Sequence, residues 1–413
     1  MKTSQSRHSS TKVGILGLGT VGSAVARNLA RVPGIKVKRG CDIRRLRFPF
    51  PVSHNPKDII NDPEISIVVE TMGGISPAKK YILAAINAGK HVVTANKDLI
   101  ALHMGEILAA ARRRGVSVLF EGAVCGGIPI LSALQENLSA DRIDEIYGIV
   151  NGTTNYILSK MTEEGVEFSE ALKMAKEKGF AEADPRSDIE GYDASYKAAI
   201  LAAVAFGAEV KWKDVYREGI EKITAEDILY ANEIGYVIKL LAIAKMVDGQ
   251  LDVRVHPALV AKSHPLANVS ENFNAVYVKG FPVGELMFYG PGAGGNPTSS
   301  AVISDIVKIT NSKYKMQNVK LKQFKMKKIE EIESRYYIRL QAPDRHGVLA
   351  GISKAFADKK VSIAAVVQKE TVGNLATIVI LLHNVAEKNL KAALRVIEKL
   401  PVVRRISNVV RIL

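Results

Sequence analysis

The chain has 413 residues, which is too long for one ordinary hydrophobic core and predicts two or three domains. Hydrophobic residues make up 47% of the sequence and charged residues 24%, as is typical of soluble globular proteins. No apolar run is long enough to cross a bilayer and none precedes Val13, so we expect a cytoplasmic protein without a secretory signal. The two cysteines, Cys41 and Cys125, are too few for a disulfide framework or a thiolate zinc site.

The formal net charge of +15 is concentrated near one end of the chain. Residues 308–413 hold 22 Lys and Arg against 8 Asp and Glu, whereas residues 1–307 hold 35 against 34. Nucleic-acid binding would require a recognition motif, such as aromatic residues interleaved with basic ones. The stretch 313–328 has seven lysines but only Tyr314 and Phe324 as aromatic residues. We therefore interpret it as a linker or a solvated element between domains, and we expect no nucleic-acid partner.

Short apolar segments alternate with helical patterns along the first third of the chain. Strands are predicted at residues 13–16, 35–41, 65–70, 91–94 and 116–120, and helices at residues 21–29, 79–87 and 102–114. This alternation indicates an α/β fold with a Rossmann-type parallel sheet that helices cover on both faces. We expect a dinucleotide-binding domain over residues 1–140, completed by residues 290–312.

After residue 140 the pattern becomes that of an α+β domain. Residues 237–247 and 251–256 flank Asp248-Gly249-Gln250, a segment typical of a β-hairpin turn. Further strands are predicted at residues 143–150, 274–279 and 284–289. We therefore expect a second domain with an antiparallel sheet over residues 141–289.

The last part of the chain has the element order βαββαβ. Strands are predicted at residues 336–341, 361–368, 376–382 and 403–412, and helices at residues 348–358 and 386–399. This order is that of a ferredoxin-like domain. We place this domain at residues 335–413, after a basic linker at residues 313–334.

A glycine-rich turn follows the first predicted strand. Residues 17–22 read GLGTVG and open a helix, so their glycines allow a tight turn and a close approach of a pyrophosphate to the helix N-terminus. Asp42 follows about twenty residues later, where an acid binds a ribose hydroxyl of NAD. Arg44 and Arg45 would instead bind the 2′-phosphate of NADP. The motif predicts a dinucleotide site and leaves the choice of cofactor open.

Two lysines are candidates for catalysis. Lys97 follows the strand at residues 91–94, at the edge where open α/β sheets bind ligands, although a solvated lysine at a helix start is the simpler interpretation. Lys197 ends the most polar block of the sequence, residues 179–197, and precedes apolar residues at helical spacing. It is either a partly desolvated acid/base or the partner of Asp193 in a helical ion pair.

Two polar loops have both structural and functional interpretations. Residues 121–129, which begin with Glu121, form either a loop between domains or a site where oxygen atoms bind a hard cation. Residues 151–155, which include Thr153, form either a helix cap or a polar surface for an amino acid. The eight histidines form no HxxxH-type cluster, so we do not expect zinc chemistry.

Taken together, these segments closely resemble homoserine dehydrogenases. The matching blocks are GLGTVG at 17–22, TANKDLIA at 94–101, EGAVCGGIPI at 121–130, NGTTNYIL at 151–158, GFAEADPRSDIEGYDASYK at 179–197 and GPGAGGNPTSSAV at 290–302. They span almost all of residues 12–310, and the block at 179–197 is highly specific to the family. The resemblance implies NAD(P)-dependent interconversion of L-homoserine and L-aspartate 4-semialdehyde.

The resemblance also implies roles for individual residues. Lys197 corresponds to the catalytic acid/base, and Lys97 to a lysine that lies between cofactor and substrate. The substrate would be bound by Glu182, Asp193, Asp188 and Thr153. The cofactor, NADP or NAD, would be bound by Gly17, Gly19, Thr20, Val21, Gly22, Asp42, Arg44, Arg45, Gly73, Lys97, Gly179 and Gly292. A monovalent cation, usually sodium, would be bound by Glu121 and by the backbone carbonyls of Val124, Gly126 and Ile128.

The tail resembles an ACT regulatory domain, with DRHGVL at residues 344–349 between its first strand and helix. This implies that a small amino acid, with threonine as the candidate, binds there and inhibits the enzyme, although such sheets also serve assembly. The resemblance further implies a homodimer formed through residues 141–289, with a tetramer left open. A dehydrogenase for another amino-acid aldehyde and a catalytically silent sensor are the competing interpretations.

Overall fold

The computed structural model describes residues 10–311, 321–368 and 374–413. Within these residues the chain forms two compact units, each assembled from segments that are distant in the sequence. Unit 1 comprises residues 10–146, Tyr196–Val215 and the described residues of 274–324. Unit 2 comprises Tyr147–Ser195, Tyr216–Phe273 and the described residues of 325–413. Residues 313–320 of the predicted linker lie outside the described residues.

The described residues form sixteen strands and thirteen α-helices. The strands are β1 Thr11–Leu16, β2 Ile35–Cys41, β3 Val52–Ser53, β4 Ile67–Glu70, β5 His91–Thr94, β6 Val118–Leu119, β7 Arg142–Ile149, β8 Tyr216–Arg217, β9 Tyr236–Val247, β10 Gln250–Ala261, β11 Phe273–Phe281, β12 Gly284–Pro291, β13 Glu333–Pro343, β14 Ile363–Gln368, β15 Leu375–Ala386 and β16 Arg405–Ile412. The α-helices are α1 Thr20–Leu29, α2 Lys57–Ile60, α3 Ala78–Asn87, α4 Lys97–Arg114, α5 Ile130–Ser132, α6 Gly152–Glu164, α7 Phe168–Glu177, α8 Arg186–Ile189, α9 Tyr192–Phe206, α10 Ala225–Glu233, α11 Gly295–Thr310, α12 Val348–Ala357 and α13 Glu387–Ile397. No helix in the described ranges is long and apolar enough to span a membrane.

A six-stranded parallel sheet forms the first part of unit 1. Its strand order is β3-β2-β1-β4-β5-β6, in which Ile15 of β1 lies opposite Gly40 on one side and Val69 on the other. Helices α1 and α11 pack on this sheet through a core that includes Val25 and Val302. This confirms the predicted Rossmann-type sheet, and it brings the carboxyl ends of β1, β4 and β5 to one edge, where such sheets bind ligands.

Strands β9 and β10 form a long hairpin in unit 2. Val247 pairs with Gln250, and the two residues between them, Asp248 and Gly249, have φ angles of 52° and 72°. Two successive positive φ angles are what a type I′ turn requires, which explains the Asp-Gly pair. The predicted hairpin is therefore confirmed.

The C-terminal part of unit 2 has the predicted βαββαβ order. Its four strands are arranged β16-β13-β15-β14 with antiparallel pairing, as in ferredoxin-like domains. Helices α12 and α13 contribute Phe356 and Leu390 to a core that also contains Tyr336. No sequence pattern indicated how this part joins the hairpin: β16 pairs in parallel with β10, with Arg411 opposite Ala258.

Residues 321–327 make backbone hydrogen bonds where the sequence predicted a linker. In unit 1 the N–H of Lys322 donates to the carbonyl of Gly207 at 2.7 Å. In unit 2 the N–H of Leu251 donates to the carbonyl of Lys325 at 2.9 Å. The predicted domain limits remain predictions, since the two compact units divide the chain at other positions.

Candidate active site

The glycine-rich turn between β1 and α1 is shaped partly by its own packing. Gly17 has a φ angle of 90°, and a Cβ there would lie 2.9 Å from the backbone of Thr71 and Met72. A Cβ on Gly22 would lie 2.0 Å from the carbonyl oxygen of Gly17. A Cβ on Gly19, by contrast, would meet no protein atom within 4 Å. Packing explains two of these glycines, and the open space beside Gly19 fits the approach of a pyrophosphate.

A cavity of about 350 Å³ opens beside this turn and is lined by Gly19, Asp42 and Arg44, among others. The Asp42 carboxylate accepts hydrogen bonds from the N–H of Leu18 at 2.8 Å and from Nε and Nη2 of Arg44 at 2.9 and 3.0 Å. The Arg44 guanidinium therefore holds the pKa of Asp42 well below its usual range. Asp42 and Arg44 thus form an ion pair, whereas Arg45, the other predicted arginine, is exposed.

The same sheet edge carries a buried acid that no motif indicated. Glu70, the last residue of β4, is fully buried and accepts hydrogen bonds from Oγ1 of Thr94 at 2.7 Å and from the N–H of Met72 at 2.8 Å. Burial raises the pKa of Glu70. Oγ1 of Thr94 in turn accepts a hydrogen bond from the N–H of Asn96 at 3.0 Å. This cluster ties the loop after β4 to the loop after β5.

Lys97 is the first residue of α4 and directly follows this cluster. Asn96 caps the helix, because its Oδ1 accepts a hydrogen bond from the N–H of Leu99 at 3.1 Å while its Nδ2 donates to the carbonyl of Gly74 at 2.6 Å. The Lys97 side chain is half-buried. A helix N-terminus carries partial positive charge, so the helix itself does not favour a lysine there. Together, the helix N-terminus and the Lys97 ammonium suit a negatively charged oxygen atom.

Lys197 lies in α9, one helical turn after Asp193. Ile200 and Leu201, which follow Lys197 at helical spacing, are fully buried, whereas Lys197 is half-buried. The apolar stripe predicted for this helix is therefore present, with the lysine at its start. The acid/base role and the ion pair with Asp193 both remain predictions.

Glu121 holds the loop after β6 in place. Its Oε1 accepts a hydrogen bond from the N–H of Leu131 at 2.9 Å, and its Oε2 accepts from the N–H of Ser132 at 2.7 Å and from the Ser132 hydroxyl. The N–H of Glu121 donates to the carboxyl of Asp305 at 2.8 Å, and burial raises the pKa of Asp305 to about 8. The loop is thus fixed to α5 and α11 through side chains of unit 1.

The oxygen atoms of this loop fit the predicted cation site. Within the described part of the chain, the carbonyls of Val124 and Gly126 accept no hydrogen bond, whereas that of Ile128 accepts one from the N–H of Ile130 at 2.8 Å. A carboxylate has about four acceptor positions, so the Glu121 carboxylate, which accepts three hydrogen bonds, keeps one. Two carbonyls and one carboxylate position are hard donors of the kind that alkali and alkaline-earth cations prefer.

In unit 2, Asn151 brings together two acids of the predicted substrate site. Its Nδ2 donates to Oδ1 of Asp188 at 2.7 Å and to Oδ2 of Asp193 at 2.8 Å. Its Oδ1 accepts a hydrogen bond from the N–H of Thr154 at 2.8 Å and thereby caps α6. Because one amide binds both carboxylates, these converge on one point. This acid pair, Asp188 and Asp193, concentrates negative charge suited to an ammonium group.

The other predicted residues of unit 2 have separate positions. Oγ1 of Thr153 donates to the carbonyl of Phe180 at 2.6 Å, so this hydroxyl anchors the polar block that follows α7. Glu182 is exposed and makes no hydrogen bond or ion pair with the described part of the chain. Gly179 has a φ angle of 72°, and a Cβ there would meet no protein atom within 4 Å. The structure therefore does not join Glu182 to the acid pair.

A buried amide in unit 1 lies beside Gly292, one of the glycines predicted to contact the cofactor. Asn274 is almost fully buried, and neither its Nδ2 nor its Oδ1 has a hydrogen-bond partner among the described residues. A Cβ on Gly292 would lie 2.1 Å from Cγ of Asn274, so position 292 has room for glycine only. An unpaired buried amide is costly, and the carboxamide of a nicotinamide offers the matching donor and acceptor. No sequence motif signals Asn274.

The chain matches known proteins over nearly all of its length. Three family models match: the homoserine dehydrogenase NAD binding domain at residues 17–121, homoserine dehydrogenase at residues 129–307 and the ACT domain at residues 336–402. The homoserine dehydrogenase of Synechocystis sp. is 44% identical over 97% of this chain and 99% of its own.

Solved structures agree with these matches. The crystal structure of a homoserine dehydrogenase from Thiobacillus denitrificans has a TM-score of 0.93 and 43% identity to this chain and covers 98% of both chains. A hyperthermophilic archaeal homoserine dehydrogenase, solved in complex with NADPH, has a TM-score of 0.63 and 29% identity and covers 73% of this chain and 98% of its own.

The fold and these matches define an NAD(P)-dependent oxidoreductase with a C-terminal ACT domain. The chain belongs to the homoserine dehydrogenase family. The resemblance seen in the sequence blocks is thereby confirmed. The roles of individual site residues stay predictions.

Proposed function

We propose that the chain interconverts L-homoserine and L-aspartate 4-semialdehyde with NADP or NAD, as a step in threonine, methionine and isoleucine biosynthesis. The observation that carries this proposal is the acid pair, whose carboxylates Asn151 holds at one point. Both amino acids carry an ammonium group, and paired carboxylates are the side chains that bind such a group best. The family membership restricts the substrate class in the same direction.

The proposed chemistry assigns a separate task to each charged group. A bound nicotinamide supplies the hydride that reduces the aldehyde carbon, or accepts it in reverse. Lys197 donates the proton that the resulting alkoxide needs, directly or through a water, and Lys97 stabilises the negative charge that develops on the oxygen. Glu182 and the acid pair bind the ammonium group, which sets the position of the reacting carbon.

We also assign a sodium ion to the loop after β6. Glu121 and the carbonyls of Val124, Gly126 and Ile128 would hold it. The ion supplies a fixed positive charge and no redox chemistry, so its task in this proposal is to keep the loop in one conformation.

The ACT domain is proposed to bind an amino-acid effector, with threonine as the candidate. Gly347 has a φ angle of 84° and α12 begins directly after it, so the first N–H groups of the helix can receive a carboxylate. Nε2 of Gln368 donates to Oδ1 of Asp344 at 3.2 Å, which supports the loop at residues 344–349. We further propose a homodimer through residues 141–289, with a tetramer as the alternative.

A spectrophotometric assay of the purified protein tests the proposal. L-homoserine should drive formation of NADPH or NADH, and the ratio of kcat/KM for the two cofactors should settle the preference. L-serine, which is shorter by one methylene, is the control for substrate length. If L-homoserine supported no cofactor reduction with either nucleotide, the proposed reaction would be wrong.

A further inference from the structure

A second cavity, of about 560 Å³, lies in unit 2 between strand β16 and the segment 216–223. The pairing of β10 explains why the cavity forms. Strand β9 pairs with one edge of β10 along its full length. At the other edge β8 pairs in parallel with residues 254–255, and β16 pairs in parallel with residues 258–259. Pro257, which lines the cavity, lies between these two ladders and has no N–H to offer a strand. The gap between β8 and β16 at this point is the cavity.

The β16 wall of the cavity contains a β-bulge. In the ladder between β13 and β16, Arg339 pairs with Asn408 and Leu340 pairs with Ile406, so Ser407 is the extra residue. Bulges leave a residue outside the ladder and redirect its side chain, often next to functional sites. The Ser407 hydroxyl is buried and has no hydrogen-bond partner among the described residues. Such a group is rare, because burial without a partner costs free energy.

Polar contacts that are buried or partly buried hold residues on both walls of the cavity. At one end Arg411, on β16, donates to Glu387 at 2.7 Å and to Glu218 at 3.0 Å. At the other end Nδ2 of Asn408 donates to Oδ2 of Asp227 at 2.8 Å. Because the protein itself fixes both walls, a ligand would bind without paying to order them.

We propose that this cavity binds a free α-amino acid. The lining supplies cations in Arg217 and Lys222, an exposed anion in Glu221 and the unpaired hydroxyl of Ser407. Charges of both signs match a zwitterion, in which a carboxylate meets the guanidinium and an ammonium meets the glutamate. A polyanion such as a nucleotide is disfavoured, since the exposed Glu221 also lines the cavity. The volume is in the range of small-molecule sites.

The same segment supports the polar block that carries the acid pair. Cζ of Arg217 lies 3.4 Å from the centre of the Tyr192 ring. Tyr192 directly precedes Asp193, the member of the acid pair that lies on α9. The N–H of Ile220 donates to the carbonyl of Ile189 at 2.8 Å. A ligand carboxylate that draws Arg217 away from Tyr192 removes one of these supports. We therefore expect the bound amino acid to raise KM for homoserine, a consequence that rests on the proposed function.

Calorimetric titration of the full chain with each standard L-amino acid in turn tests the site. At least one amino acid should bind, and Ser407→Ala and Arg217→Met should each weaken its binding by about tenfold, because each removes one partner of the ligand. Ser407→Ala deletes a hydroxyl that has no partner in the described chain, so the melting temperature should not fall.

Arg345→Ala, in the loop at residues 344–349, separates this site from the effector site proposed above. Binding at the cavity should survive this change. The inference fails if no amino acid binds, or if Arg345→Ala abolishes binding while Ser407→Ala and Arg217→Met leave it intact. Calorimetry requires no turnover, so a protein that binds as described but reduces no cofactor contradicts only the proposed function.

Discussion

The guanidinium of Arg44 binds the carboxylate of Asp42 through two hydrogen bonds, from Nε to Oδ1 at 2.9 Å and from Nη2 to Oδ2 at 3.0 Å. The acid that the glycine motif assigns to the ribose of NAD is therefore already paired within the protein. An unpaired carboxylate at this position would repel the 2′-phosphate of NADP, and the ion pair removes much of that repulsion. We therefore expect the choice between the two cofactors to depend on Arg44.

We expect Arg44→Ala to shift the preference towards NAD. The change frees Asp42 to accept a ribose hydroxyl and restores its repulsion of a phosphate, so the ratio of kcat/KM for NADP to that for NAD should fall by about tenfold or more. Steady-state kinetics with both cofactors measure this ratio. Arg47→Ala, at an exposed arginine with no assigned cofactor contact, is the control and should leave the ratio unchanged. If Arg44→Ala left the ratio of kcat/KM for NADP to that for NAD unchanged, Arg44 would have no role in the choice of cofactor.

Asn151→Ser should weaken substrate binding while keeping the fold. Serine is as good a helix cap as asparagine, so α6 keeps its N-terminal hydrogen bond, but both amide donors to the acid pair are lost. We expect KM for homoserine to rise about tenfold or more, with a nearly unchanged melting temperature. Kinetics and thermal denaturation of the same preparation separate the two effects. A lower kcat at normal KM would contradict the binding role of the acid pair.

Lys197→Ala should lower kcat by about a hundredfold or more, since the variant lacks the proton donor for the alkoxide. Cofactor affinity, measured by fluorescence titration, should change little. Lys213→Ala, at an exposed lysine of unit 1, is the control and should retain full activity. Normal turnover in Lys197→Ala would exclude it as the acid/base.

Local patterns were sufficient to predict most of the elements. Apolar alternation and turn residues such as Asp248-Gly249 act within a few positions, so the Rossmann-type sheet, the hairpin and the βαββαβ tail could all be predicted. The pairing of β16 with β10 could not, because two residues about 150 positions apart, Ala258 and Arg411, leave no local signal of their contact.

Local patterns also predicted only part of the candidate active site. Residues 17–22 and Lys97 belong to motifs that fix their place beside a strand, so their positions were predictable. Asn151 was part of a recognised block, yet its link between the acids depends on residues 37 and 42 positions away. Asn274 is an isolated polar residue in an apolar strand, and only its unpaired amide beside Gly292 reveals it.

Gly126→Ala should disturb two places together: the loop after β6, to which we assign the sodium ion, and the cofactor site. Gly126 has a φ angle of 50°, and a Cβ there would lie 2.6 Å from the carbonyl oxygen of Gly292. The backbone of one of the two loops must therefore move. We expect weaker cofactor binding, by about tenfold, and a greater demand for sodium in the assay. Gly165→Ala, in a turn of unit 2, is the control for backbone strain without a steric clash. Gly165 also has a positive φ angle, but a Cβ there meets no atom within 4 Å. Equal effects of the two variants would refute the link between the loops.

Lys239 should make the stability of unit 2 depend on pH. Its ammonium is buried and donates to Oδ1 of Asn155 at 3.2 Å, and burial lowers the pKa of Lys239 from its ordinary value of 10.5 to about 8. Between these two values the unfolded chain binds a proton that the folded chain does not. The free energy of unfolding should therefore rise with pH across this window, by up to about 3 kcal/mol.

Urea denaturation of the protein and of Lys239→Met at a series of pH values measures this contribution, because their difference removes the titration of all other groups. The difference should be constant below about pH 8, where the lysine is protonated in both states, and should change across the window up to its ordinary pKa. Methionine keeps the length and the apolar stem of the side chain, so packing is largely retained. A difference that stayed flat from pH 7 to pH 10 would show that the folded protein keeps Lys239 charged.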